Sequence, residues 1–320
     1  MNKTSTAAII LIIGVVLLAA GVVALYSGPL LLQYLLWLGP ESEPARLFGS
    51  FRFAAITCLI IGLYLAAGVL IPLGWGHLKT RPWARPVSLA LLHVWLVWGC
   101  FFALPLIFAV FCDGLPLLHP EHVFVAAFCL LAWPVAPLVL IRFYQSQTVA
   151  LIFQSRDAAA YWTDRIPVPN MALSFLFAVS GIACVFPILL NGVFPLFGIL
   201  LSGLAGEVVL NTLMVCLLGL GWGLFHQKAW AWRGALASSA GLLSSAILTF
   251  PRLAYSDLLN SMNIPQYEAE KPQRTSLVGW HFAVIVGVPL LIALIMTLFS
   301  RKYFQKRGVP AFQDPEAKTA

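Results

Sequence analysis

Polar residues in this chain are confined to short segments between long apolar runs. The runs fall at about 7–26, 53–74, 87–111, 122–142, 170–190, 205–226, 234–250 and 278–300. A helix of roughly 20 residues is about 30 Å long, the thickness of a bilayer's hydrocarbon core. Each run therefore predicts one transmembrane helix, and the pattern as a whole predicts about eight. The first run follows Lys3 as a secretory signal would. Its apolar core is longer than that of a signal peptide and no small-residue cleavage site follows, so it reads as a retained span.

Composition agrees with the pattern. The 320 residues are 61% hydrophobic and 10% charged, with a mean hydropathy of +0.91, against about 45–50% and 25% in soluble domains. The fold class expected is an all-α integral membrane protein. Charge adds orientation. Fourteen of the nineteen Lys and Arg residues fall in the segments on one side of the predicted spans, and Arg46, Arg52, Arg252, Lys271 and Arg274 fall on the other. The positive-inside rule then puts both termini in the cytoplasm. The net charge of +7 is accounted for by this asymmetry, and no basic segment is long enough to form a nucleic-acid-binding domain.

Two copies of one phrase suggest internal organisation. LGWGHLKTRPWA at 73–84 returns as LGWGLFHQKAWA at 220–231, an offset of 147 residues. Each copy begins at the cytoplasmic end of a span, the second and the sixth. The segments 28–41 and 192–207 are apolar, bounded by Gly or Pro and too short to cross, which predicts an interfacial or re-entrant half-helix in each half. Pro134 and Pro137 interrupt the fourth span and Pro289 the eighth. Together these features predict a tandem parallel repeat of four plus four spans. Its parts are a first unit at 1–145, a cytoplasmic interfacial linker at 146–169, a second unit at 170–305 and a disordered tail at 306–320.

The repeated phrase has two readings. Its Trp and basic residues are ordinary headgroup-level anchors, and its glycines let helices approach closely. Alternatively, Trp75, Arg81, Trp83 and Arg85 in one half, and Trp222, Lys228, Trp230 and Arg233 in the other, form two cytoplasmic pockets for anionic lipid headgroups or another anionic ligand. A second candidate is a polar or ion path built on Glu207, with Asn211 four residues later on the same helical face, and on His93 inside the third span. An ionisable group in a membrane usually faces a cavity or a partner. The competing reading sets Glu207 in the wetted first turn of its helix.

Other chemistry is thin. His93 lacks a second histidine at matching depth, which argues against a bis-histidine haem. Asp113, His119, Glu121 and His122 crowd one outer loop in no recognised metal-binding spacing. The six cysteines, at 58, 100, 112, 129, 184 and 216, include no C-x-x-C pair and read as small packing residues. No phosphate loop, nucleophile elbow or zincin motif is present. Neither a catalytic residue, a metal nor a cofactor is therefore assigned.

In the linker, Val149, Ile152, Ala159 and Trp162 are spaced to face the bilayer from an interfacial helix ended by Pro167 and Pro169. The stretch WTDRIPVPNMALSFLF resembles a segment of a family of uncharacterised bacterial multi-span membrane proteins. Trp162 to Arg165, Pro167, Pro169 and Ala172 to Ser174 carry the likeness, which continues to YSDLLNSMN at 255–263. The resemblance implies a bacterial inner-membrane protein and no particular activity. The mixed-charge segment 251–277 reads as a solvated outer loop that would suit partner docking. Two functional classes follow: a small transporter or permease for a small or anionic solute or lipid, and a non-catalytic scaffold or accessory subunit. The partners expected are the bilayer, anionic headgroups, and a membrane protein or a second copy of the chain.

Overall fold

A computed structural model of the chain describes residues 3–37, 50–112, 127–128, 131–154, 161–253, 255–262 and 279–305. Those residues form an all-α membrane-type bundle. Among the described residues seven helices are long and apolar enough to cross a membrane, and a pair of helices bent by 63° brings the number to eight if it forms one span. In chain order the elements are α1 (Lys3–Trp37), α2 (Phe51–Leu78), α3 (Ala84–Cys112), a π-turn at Leu131–Val135, α4 (Ala136–Gln145) and α5 (Gln147–Gln154). A 3-10 turn at Trp162–Arg165 leads to α6 (Val168–Ala183), α7 (Val185–Leu189), strands β1 (Phe194–Leu196) and β2 (Ile199–Leu201), and α8 (Gly203–Phe225). Then come α9 (Ala229–Thr249), a 3-10 turn at Phe250–Arg252, α10 (Tyr255–Ser261) and α11 (Gly279–Gln305).

Glycine sets the first helix pair. A Cβ on Gly14 would meet His77 and Leu78, one on Gly21 would meet Ile71, and one on Gly28 would meet Tyr64, at 2.7–3.1 Å. The rising numbers on α1 meet falling numbers on α2, so the two helices are antiparallel. In lipid, where apolar surface gains little by leaving the solvent, such close backbone approach supplies the association energy. The pair α6 and α8 repeats the device: Gly221 lies against the Ser174 carbonyl, and Ser174 Oγ donates to the Gly221 carbonyl at 2.7 Å.

Two half-helices predicted from sequence are absent in that form. Residues 28–37 are the last three turns of α1, with Pro29 inside it. The packing of Gly28 against Tyr64 keeps them on α2. The 192–207 segment instead forms an antiparallel hairpin, Phe194 opposite Leu201, followed directly by α8. Positive φ angles at Asn191, Gly192, Phe197, Gly198 and Gly203 turn the chain there. The two-residue Phe197–Gly198 turn donates its N–H groups to Ser245 Oγ at 3.0 Å and Thr249 Oγ1 at 2.8 Å. Ser245 Oγ donates in turn to the Pro195 carbonyl. Strand wins over helix here because α9 offers these hydroxyls to backbone groups that a membrane would otherwise leave unpaired.

The predicted interfacial linker helix is also corrected. Ser146 is extended and its Oγ accepts from Val149 N, so α5 starts afresh at an angle to α4. Its apolar side turns inward: Val149 and Phe153 are fully buried in a core cluster with Ile10, Leu73, Ile141 and Met171. Ile152 packs against the same cluster, while Trp162 is about half exposed. Ala159 lies outside the described residues, as do the histidine-containing outer loop, most of segment 251–277 and the tail from 306. The second cluster, around Leu173, Phe177, Leu210, Leu217, Leu224 and Ala235, fills the space among α3, α6, α8, α9 and α11. Helix α3 packs on both α6 and α11, so the two proposed units are joined in one body.

Candidate functional site

The two copies of the repeated phrase build the same turn. Lys79, Thr80, Arg81 and Ala84 donate their backbone N–H groups to the carbonyls of Trp75, His77, Gly76 and Arg81. At an offset of 147, His226, Gln227, Lys228 and Ala231 donate to Trp222, Leu224, Gly223 and Lys228. Thr80 and Gln227 have φ of 48° and 55°. This is a Schellman cap, in which one left-handed residue lets a helix close its last carbonyls before the next helix begins. The glycines explain the spelling. Gly74 and Gly221 touch the backbones of α1 and α6, and Gly76 and Gly223 are covered by the rings of Trp83 and Trp230.

Trp75 and Trp222 are 55% and 58% exposed. Lys79 Nζ lies 5.0 Å from the Trp75 ring centre, and the His226 ring lies 4.4 Å from that of Trp222. Neither half gathers its four predicted pocket residues. Lys228, Trp230 and Arg233 are all exposed, and Trp232 stands where the first copy has Arg85, donating Nε1 to the Thr297 carbonyl. In the first copy Arg81 approaches the Tyr161 hydroxyl at 3.4 Å, Trp83 is spent on packing, and only Arg85 turns toward the bundle.

Around Arg85 the structure assembles a polar knot that the sequence pattern alone does not single out. His77 is completely buried. Its Nδ1 is 2.8 Å from the Leu73 carbonyl, its Nε2 is 2.6 Å from the Tyr144 hydroxyl, and Ser88 Oγ is 3.4 Å from the same nitrogen. Phe153 meets the imidazole edge-on at 5.5 Å. Arg85 Nε donates to the Tyr144 carbonyl at 2.9 Å. The knot thus ties α2, α3 and α4 together under α5. The signal for it was present in the repeat: His77 and Ser88 stand at fully or nearly buried positions where the second copy has Leu224 and Ala235.

Next to the knot lies a groove of about 250 Å³ between the start of α3, helix α5 and the 162–168 segment. Arg85, Gln154, Thr163 and Asp164 are its polar lining, and Pro82, Phe153 and Ile166 are among its apolar walls. Asp164 Oδ2 accepts the Tyr161 N–H at 2.9 Å, capping the 3-10 turn. Thr163 is 2% exposed, and its hydroxyl has no partner among the described residues.

Of the ion-path residues, Glu207 and Asn211 are neighbours on α8 and His93 is on α3. Glu207 is half-buried in the second turn of α8, against Gly192 at the hairpin end. Asn211 is exposed and donates to the Glu207 carbonyl at 2.8 Å. His93 is bonded to its own helix through the Leu89 carbonyl. Among the described residues no group of three His, Cys, Asp or Glu side chains is placed to hold a metal ion.

The fold defines the class, a multi-pass helical membrane protein. Comparison of the chain with protein-family models, with curated proteins and with solved structures finds no match.

Proposed function

We propose that this chain is a non-transporting integral membrane protein, a scaffold or accessory subunit whose working surface is the end of the bundle that carries the basic turns. One observation supports this reading above others: Asn211 is bonded to the Glu207 carbonyl on α8 and His93 to its own helix α3, and no hydrogen bond among the described residues joins the two places. The side-chain hydrogen bonds that join different helices at the basic end centre on His77, Ser88 and Tyr144, while Ser245, Thr249 and His281 are buried at the opposite end. On this reading the basic end is cytoplasmic, both termini lie there, and the membrane is a bacterial plasma membrane. Support comes from the segregation of Lys and Arg and from the likeness around Trp162–Arg165. The matched turns at 79–84 and 226–231 favour descent from a duplicated four-span unit.

A second reading, a permease for a small anionic solute, draws on the bent α4–α5 pair, because discontinuous helices mark transport sites in many carriers. Native mass spectrometry of the protein released gently from its own membrane separates the two. The scaffold reading expects a stoichiometric protein partner or a second copy. A monomer carrying a small polar solute that Glu207→Gln removes would contradict it.

A further inference from the structure

We propose that the groove beside Arg85 binds a zwitterionic group with an oxyanion at one end and a primary ammonium at the other, of the phosphoethanolamine type. The proposal rests on the reading that the basic end is the working surface, and it identifies what that surface holds. Three features of the groove select this chemistry. First, Arg85 commits Nε to the Tyr144 carbonyl. That bond fixes the plane of its guanidinium and leaves the two Nη groups, the pair that meets a phosphate in bidentate fashion, without a partner among the described residues. Second, the Thr163 hydroxyl is buried and has no partner among the described residues. Such a group costs free energy when left unpaired, and Thr163 belongs to the groove lining, so a small rotation that brings its hydroxyl to the groove would let it donate to an oxyanion. Third, Asp164 lines the same groove. Its carboxylate would repel a purely anionic ligand, but it has acceptor capacity beyond the Tyr161 N–H and suits an ammonium.

The walls set the class further. Pro82, Pro86, Phe153, Ile166, Pro167 and Val168 also line the groove, but more of its accessible lining is polar than apolar, which suits a charged headgroup. The site lies where α3 and α6 begin, at the boundary of two predicted spans, and a lipid headgroup is available there without leaving the bilayer. The same zwitterionic chemistry is offered by free phosphoethanolamine, and the test includes both sources.

The experiment uses the full chain reconstituted in vesicles of equimolar phosphatidylethanolamine, phosphatidylcholine and phosphatidylglycerol, followed by native mass spectrometry of the lipids retained. Wild-type protein is expected to retain phosphatidylethanolamine in preference to both others. Arg85→Gln and Thr163→Val should each reduce that retention several-fold, whereas Arg142→Gln, an exposed change on α4, should leave it unchanged. Asp164→Asn keeps an acceptor for the Tyr161 N–H and should erase the preference over phosphatidylglycerol while retaining binding. Displacement of bound lipid by soluble O-phosphoethanolamine would assign the site to the headgroup alone. Failure of displacement with retention intact would assign it to the whole lipid. Because Thr163→Val removes an unpaired hydroxyl at constant shape, an unliganded groove predicts unchanged or raised thermal stability and no change in retention. Equal retention of all three lipids, or retention untouched by Arg85→Gln in protein with unchanged melting temperature, would overturn the proposal. Neither result bears on whether a protein partner copurifies.

Discussion

His77 shows what one polar residue costs and gives inside a membrane bundle. A buried imidazole without partners would be strongly unfavourable. Here both nitrogens are engaged, one by its own helix and one by Tyr144 across the bundle. Tyr144→Phe removes that second partner and leaves Nε2 only the long contact to Ser88 at 3.4 Å. We expect it to destabilise the protein by about 1–3 kcal/mol, read as a lowered thermal midpoint in detergent. His77→Leu copies the residue that the second repeat carries at this place. It should suppress most of the Tyr144→Phe penalty when the two are combined, because an apolar pair leaves nothing unsatisfied. Additive losses in the double variant would mean that the two side chains are not coupled. At this scale the repeated phrase was legible as two copies of one local structure, and the structure gives both the same turn and an exposed tryptophan. Sequence reading could not pair His77 with Tyr144, 67 residues away, since nothing local marks a hydrogen bond between helices. Arg85 was found for its charge, while Thr163 and Asp164 acquire meaning only once α5 folds back beside them.

Helices behaved according to how much of their conformation the membrane decides. Spans of uniform apolar character were legible to within a few residues, as with 170–190 against a span observed at Val168–Leu189, because length and hydropathy suffice there. The 28–37 and 192–201 segments were not, and for opposite reasons. The first continues its helix because the glycines of α1 bind it to α2, and the second becomes a hairpin because α9 supplies hydroxyls to its turn. Ser245→Ala together with Thr249→Val should therefore loosen the hairpin, costing about 1–3 kcal/mol for each orphaned N–H and raising hydrogen exchange at Phe197 and Gly198. Unchanged exchange there would show that the hydroxyls are incidental. Glycine contacts allow a second check. Gly74→Val places atoms where Leu18 and Gly14 backbone already stand, at 2.7–2.8 Å from the first added carbon, while Gly62→Ala and Gly219→Ala meet nothing within 4 Å. The first should lower the yield of folded protein sharply, and the other two should be tolerated. Comparable losses at all three sites would refute close helix approach as the source of association.

For the whole molecule, composition sufficed for the class, and the pattern of apolar runs predicted about eight crossings where the described residues give seven or eight. Whether the interior contains a route for a solute depends on where Glu207, Asn211 and His93 end up, which periodicity does not reveal. Asn211 stays beside Glu207 on α8 and His93 bonds its own helix α3, and the function we propose is that of a packed body working at its basic end. Single-cysteine accessibility tests that claim most directly. In a variant lacking the six native cysteines, Val97→Cys and Leu210→Cys probe positions 4% and 2% exposed within the same apolar cluster, and Lys228→Cys supplies an exposed reference. In sealed membrane vesicles treated on either side with a membrane-impermeant maleimide, the account predicts labelling at 228 from one side and none at 97 or 210 from either. Labelling at 97 or 210 in intact, folded protein would show water inside the bundle and would contradict the account in favour of a transport path.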